Sequence, residues 1–282
     1  MTTKFHKEQF ELFNSMRDRD ELAHAYLLTG PRGVGKLDFA RQVAAWLQTP
    51  ATTGTPDFPV VANNHPDIIE TPVPLPIKEA VDLKKSLSTA PYSGNYNIVI
   101  INSAEKMHID AANSLLKWIE EPKGDVIFFL ITEYADNMLE TVRSRCYEIK
   151  FPLVSDGNIE KALNTDKIKD LKAHWSGRPA LAARLLNDED YRDKISGYKK
   201  DYDKFLVGTL GAKFAISEKY AKIKDSDFDV LEVLRVWIEH EKERDAKRED
   251  VVLSGLLMIY KNTSTTNANF KFALNNLAVK LQ

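Results

Sequence analysis

Gly30, Gly35 and Lys36 stand at the spacing G-x-x-x-x-G-K within the stretch LLTGPRGVGKLDFA, residues 27–40. Two glycines and a lysine so arranged can form a phosphate cradle. Backbone N–H groups of the turn converge on an anion, and the ammonium at the start of the next helix reaches its outer oxygens. Gly33 adds a third glycine to the turn. The residue after Lys36 is Leu37, where the pattern wants Ser or Thr. That hydroxyl normally holds a magnesium ion against the phosphates, so Leu37 removes a metal ligand. The loop reads in two ways: a residual site that holds ATP or ADP without hydrolysis, or a glycine turn kept for chain geometry.

A second position points the same way. In phosphate-loop folds of this kind an apolar strand ends in Asp-Glu, the first acting on the metal and the second activating water. Here the run IVII is followed by Asn102-Ser103. Asn102 carries no charge and Ser103 is no general base. Glu105 is expected past the strand end, facing away. Oxygen ligands are thus missing at two separate motifs, so no metal site and no hydrolysis by this chain alone are expected; the alternative is a working ATPase in which Asn102, Glu105 or substrate groups replace the missing ligands.

The elements that must position these residues alternate between two patterns. AYLLT (25–29), DIIET (67–71), NIVIIN (97–102), VIFFLIT (126–132) and CYEIKF (146–151) read as strands. HKEQFELFNSM (6–16), GKLDFARQVAAWLQ (35–48), IKEAVDLKKSLSTA (77–90) and DAANSLLKWIEEP (110–122) read as helices. Strands of continuous apolar character between helices predict a parallel sheet covered on both faces, an α/β fold. Residues 49–66, rich in Pro, Thr, Gly and Asn, read as a loop. Beyond residue 155 strand signals stop. NIEKALN, RPALAARLLND, YRDKISGYKKDYDKFLVGTL, FDVLEVLRVWIEHEKE and VVLSGLLMIYK read as amphipathic helices.

Composition narrows the function classes. The 282 residues carry 39 Lys and Arg against 41 Asp and Glu, so no global positive field marks a nucleic-acid binder, although one basic face could. With a single cysteine, Cys146, neither an intrachain disulfide nor a cysteine-based zinc site can form, and the six histidines are scattered. No apolar run is long enough for a membrane span and the N-terminus lacks a signal-peptide core, so a cytoplasmic protein is expected.

The segments HAYLLTGPRGVGK, NHPDI, NIVIINSAEKMHIDAANSLLKWIEEP, FFLIT and LETVRSRCYEIKF together resemble the clamp-loader branch of the AAA+ proteins. The resemblance covers roughly residues 20–185. It implies an AAA+ α/β domain of the phosphate-loop type over 1–153, a small helical lid over 154–190 and an all-helical collar over 191–282. Clamp loaders are asymmetric pentamers that load the sliding clamp of a replicative DNA polymerase, with ATP held at subunit interfaces. Their stator-type subunits keep the fold, often with a defective nucleotide site, and lend an arginine finger to the neighbour's ATP. Here Ser144-Arg145-Cys146 matches that finger motif, so Arg145 would act in trans, flanked by Ser144 and Cys146. A guanidinium offers fixed donors to the charge spreading over phosphoryl oxygens.

By the same resemblance Thr132 matches a sensor residue that bonds an outer phosphate or a bound water. It reads equally as a strand-end threonine bonded to local backbone. Lys78, Lys84 and Lys85 lie on the helix that approaches primer–template DNA in the family, or on an ordinary solvated face. Residues 179–181, Pro-Ala-Leu, stand where a second sensor arginine would be, and that role is not carried over. The family's four-cysteine zinc knuckle is missing before His65, so no zinc is expected. Implied partners are motor subunits, the clamp-opening subunit and, through the assembly, the sliding clamp and primed DNA.

Overall fold

The computed structural model describes residues 4–49, 65–71, 75–121, 124–223, 229–244, 251–265 and 269–281. The loop expected over 49–66 lies outside them from residue 50 to 64, as does the side chain of Lys84. The chain divides into two compact units, one of Met1–Ile159 with Gly177–Ala180, the other of Glu160–Ser176 with Leu181–Gln282.

The first unit holds a five-stranded sheet: β1 (Ala25–Thr29), β2 (Ile68–Glu70), β3 (Asn97–Ile101), β4 (Val126–Ile131) and β5 (Tyr147–Lys150). The order is β2-β3-β4-β1-β5, and every pairing is parallel. The unbroken apolar runs arise because side chains of one strand alternate between two cores. Tyr26, Leu28, Ile98, Ile100, Ile127 and Phe129 join a core with Phe10 and Phe13 of α1 (Lys7–Asp18) and Phe39, Val43 and Leu47 of α2 (Lys36–Leu47). Leu27, Val99, Ile101, Phe128 and Leu130 face the other way. They pack with Ala80, Leu83 and Leu87 of α3 (Ile77–Leu87) and Ala111, Leu115 and Ile119 of α4 (Ile109–Glu120). Fully burying one such side chain is worth about 1.5–3 kcal/mol, so the two cores fix the sheet from both sides. The four-residue α5 (Glu140–Arg143) leads into the edge strand β5 and is anchored by buried Val142.

The second unit is helical among its described residues. Its main elements are α9 (Glu189–Val207), α10 (Leu210–Lys222), α11 (Val230–Glu243), α12 (Val251–Thr265) and α13 (Phe270–Lys280). The shorter α7 (Lys172–Trp175) belongs to it too, while α6 (Asp156–Ala162) and α8 (Pro179–Asn187) cross from one unit's residues to the other's along the chain. Several starts are capped by side chains the sequence supplies at the right place: Asp188 accepts from Tyr191 N–H, Asp229 from Leu231 N–H and Asn269 from Phe272 N–H. Each cap is worth about 1 kcal/mol. Trp237 is fully buried among Tyr202, Phe205 and Tyr220, and its indole N–H donates to the Tyr198 carbonyl at 3.0 Å. The stretch 191–210, expected as one helix, ends at Val207 instead. Gly208 leaves the helical region there, and Thr209 caps the next helix by accepting from Ala212 N–H. The segments of α10 and α13 are helices that the sequence reading did not single out.

Candidate functional site

The glycine loop connects β1 to α2, so it sits at the carboxyl edge of the sheet, where open parallel sheets bind ligands. Gly30, Gly33 and Gly35 have φ of +135°, +83° and +107°, a region that glycine enters without strain. At Gly30 the reason is also packing: a Cβ would stand 2.1 Å from the Phe151 carbonyl oxygen. The loop is tied in place by Gly30 N–H donating to Glu133 O at 3.2 Å and by Gly33 O accepting from Ala180 N–H at 3.0 Å.

Lys36 is buried, with 6% of its surface exposed. Its ammonium donates to the carbonyls of Gly30 and, at 2.8 Å, Pro31, which belong to its own loop. Burial pulls its pKa down to about 8, against the opposing charges of Glu133 and Glu105. Buried His6 donates from Nε2 to the Val34 carbonyl at 2.8 Å and packs edge-on against Phe151. Burial lowers the His6 pKa, which the Val34 bond resists and the Lys36 charge reinforces. Leu37 packs against the core that α2 shares with the sheet. The residues present keep the backbone of an anion loop, but they do not fit a loop-bound magnesium ion, since Leu37 offers no oxygen.

Asn102 follows β3, and its side-chain oxygen accepts from the N–H of Ser103 at 3.0 Å. Ser103 lies in the left-handed region at φ +50°. The chain turns there into a short 3-10 segment, Ala104–Lys106. Glu105 lies on that segment, past the end of β3. Its charge acts on Lys36, and its Oε2 is buried with no hydrogen-bond partner among the described residues. Thr132 directly follows β4, has 2% of its surface exposed and donates its hydroxyl to the Tyr134 carbonyl at 3.2 Å. Since β4 pairs with both β1 and β3, Gly30, Asn102 and Thr132 share one edge of the sheet.

Arg145 is elsewhere. It lies two residues before β5, at the amino edge of the parallel sheet, opposite the loop. A five-residue strand such as β1 spans about 17 Å, so the guanidinium is held well away from its own glycine loop. Its side chain is 38% exposed. The Nε of Arg145 donates to the Glu120 carboxylate at the end of α4, and Nη1 donates to the Thr141 carbonyl at 2.7 Å and to the Ser144 hydroxyl at 3.3 Å. Ser144 is exposed beside it. Cys146 turns inward, its Sγ 3.2 Å from the Val142 carbonyl, and burial pushes its thiol up to about 12. That thiol is an anchor for the motif, not a nucleophile.

The family described as DNA polymerase III, delta subunit, matches residues 5–155. The chain belongs to that family. Its membership agrees with the clamp-loader resemblance carried by the motifs. The DNA polymerase III subunit delta prime of Pseudomonas aeruginosa is 30% identical over 258 residues, covering 83% of this chain and 79% of that protein. Its counterpart in Bacillus subtilis is 31% identical over 205 residues, 68% of this chain and 62% of the relative. A crystal structure of a DNA polymerase III gamma subunit-related protein from Thermotoga maritima matches 95% of this chain and 97% of its own, with a TM-score of 0.58. At 19% identity that likeness shows a shared fold.

Three residues of this delta-family chain escaped the sequence reading. Glu133 and His6 touch the loop only through the tertiary fold, and no local pattern announces either. Glu120 stood in plain view within KWIEE, but its partner is 25 positions away.

Proposed function

We propose that this delta-family chain is a clamp-loader subunit of the stator type. It lends Arg145 to ATP bound on an adjacent motor subunit and does not hydrolyse ATP itself. One observation supports this reading above the others: Arg145 is exposed at the sheet edge opposite its own loop, where it can serve a neighbour's nucleotide and not its own. The loss of oxygen at Leu37, Asn102 and Ser103 is consistent with that division of labour. Helices of 191–282 would form the collar that joins it to motor subunits and to the clamp-opening subunit. The sliding clamp and primer–template DNA are met through that assembly, in the cytoplasm. Among the described residues no helix is long and apolar enough to cross a membrane.

A second reading has one observation in its favour. The loop keeps Gly30, Gly33 and Gly35 in the positive-φ backbone that an anion cradle uses, with Lys36 at the start of the helix that follows. Isothermal titration of the purified chain with ATP and ADP separates the two: saturable binding supports the switch, and its absence leaves the stator alone. The stator itself is tested by loading fluorescent clamp onto primed DNA with an otherwise complete complex. Arg145→Ala is expected to slow loading by at least about tenfold while the complex still assembles. Loading at the wild-type rate would contradict the role given to Arg145.

A further inference from the structure

We infer that Glu120 is a positioning residue, which fixes the direction in which Arg145 is presented to the neighbouring subunit. The inference rests on the stator reading. It starts from the donor inventory of the guanidinium, which has five N–H groups in a planar fork. Nε has one N–H, and the Glu120 carboxylate takes it. Nη1 is engaged by the Thr141 carbonyl and the Ser144 hydroxyl. No partner for Nη2 is found among the described residues. The fork is therefore held by Glu120 at the end of α4 and by Thr141 and Ser144 at α5. Its Nη2 corner stays open, on a side chain 38% exposed. A phosphoryl oxygen arriving from outside would meet Nη2 and not the Nε edge.

The placement of Glu120 argues that it is there for this contact and not for its helix. Glu120 is the last residue of α4 and Glu121 is the C-cap. Carboxylates at a helix C-terminus oppose the helix dipole, and a lysine or arginine would suit the last turn better. Two consecutive acids there work against the helix, yet only Glu120 is bonded to Arg145. The neighbouring Arg143 is taken by a different acid, Asp136, at 2.6 Å, so the two arginines of the RSR run are kept apart. Arg145 alone is held between α4 and α5. Free rotation of a long arginine would scatter its donors over many rotamers, and misplacement by an ångström can cost large factors in rate.

The experiment measures steady-state ATP turnover by the assembled motor subunits, with clamp and primed DNA, as this chain is varied. Incorporation is checked by mass and thermal stability by the unfolding midpoint. Glu120→Ala is expected to lower kcat about tenfold with KM for ATP unchanged, and to leave the midpoint equal or slightly higher. Glu120→Gln keeps an oxygen acceptor for Nε and is expected to recover most of the lost rate. Glu121→Ala, the same charge change one residue on, should leave the rate as in wild type. Turnover with Glu120→Ala at or above wild type, alongside a clear loss in Arg145→Ala, overturns the positioning role and leaves the stator reading intact. A Gln variant as slow as the Ala variant overturns the acceptor argument. If Arg145→Ala also turns over like wild type, the stator reading itself falls, and Glu120 has nothing to position.

Discussion

Lys36 shows how one residue can keep its motif and change its chemistry. In the sequence it is the lysine of a phosphate loop. In the structure its ammonium is buried and bonded to carbonyls of its own loop, with its pKa lowered to about 8. The ordinary lysine value is 10.5. The folded chain thus binds fewer protons than the unfolded one between those values, so stability rises with pH across that window. Below about pH 8 the charge is present in both states and its burial costs about 3 kcal/mol, which is relieved as pH climbs toward 10.5. Urea unfolding at pH 7.5 and pH 10 should show this gain in wild type and lose it in Lys36→Met. A pH response identical in the two proteins would mean Lys36 titrates as an exposed lysine.

Elements were legible where their chemistry is local. Continuous apolar runs marked β1, β3 and β4, because each of these strands feeds two cores and has no polar face to interrupt it. The edge strand was less legible: CYEIKF narrows to Tyr147–Lys150, in which Tyr147 and Lys150 are exposed, while Cys146 and Phe151 pack into the cores beyond the strand ends. The helices α10 and α13 went unread because their apolar residues are spread around the axis. In α13, Phe272 and Val279 are exposed while Leu274 and Leu277 are buried. The glycine loop could be found from spacing and Ser144-Arg145-Cys146 through the family resemblance, whereas the contacts of Arg145 with Glu120 and of Lys36 with the Gly30 and Pro31 carbonyls exist only after folding.

The link between α3 and β3 carries an element-scale prediction. Asp67, 5% exposed, accepts the N–H groups of Tyr92, Ser93 and Gly94 at 2.6, 2.9 and 2.8 Å, and so pins the turn that feeds β3. Burial works to raise its pKa, but the three donors and His65 together hold it below 3.8. A depressed carboxylate stabilises the fold above its unfolded value and loses that contribution as pH falls through its folded value. Asp67→Ala should cost about 2–3 kcal/mol in urea unfolding at pH 7. Its difference from wild type should shrink as pH is lowered below 3.8. A constant difference across that range would show that the turn is not held by the carboxylate charge.

At the scale of the whole chain, two functional features are separated across one sheet. The phosphate loop and its depleted acids occupy the carboxyl edge, and Arg145 is exposed at the amino edge. A subunit that hydrolysed its own nucleotide would need metal ligands at the first edge, where Leu37, Asn102 and Ser103 stand instead. With 39 basic and 41 acidic residues, the chain has no general pull on DNA, which fits a subunit that acts on other subunits. The most direct test is ATP hydrolysis by the cognate motor subunits, assembled with clamp, primed DNA and this chain as wild type or Arg145→Ala. The account predicts negligible turnover by this chain alone, strong stimulation by wild type, and loss of that stimulation in an alanine variant that still assembles. Equal turnover with the two chains in a fully assembled complex would contradict it.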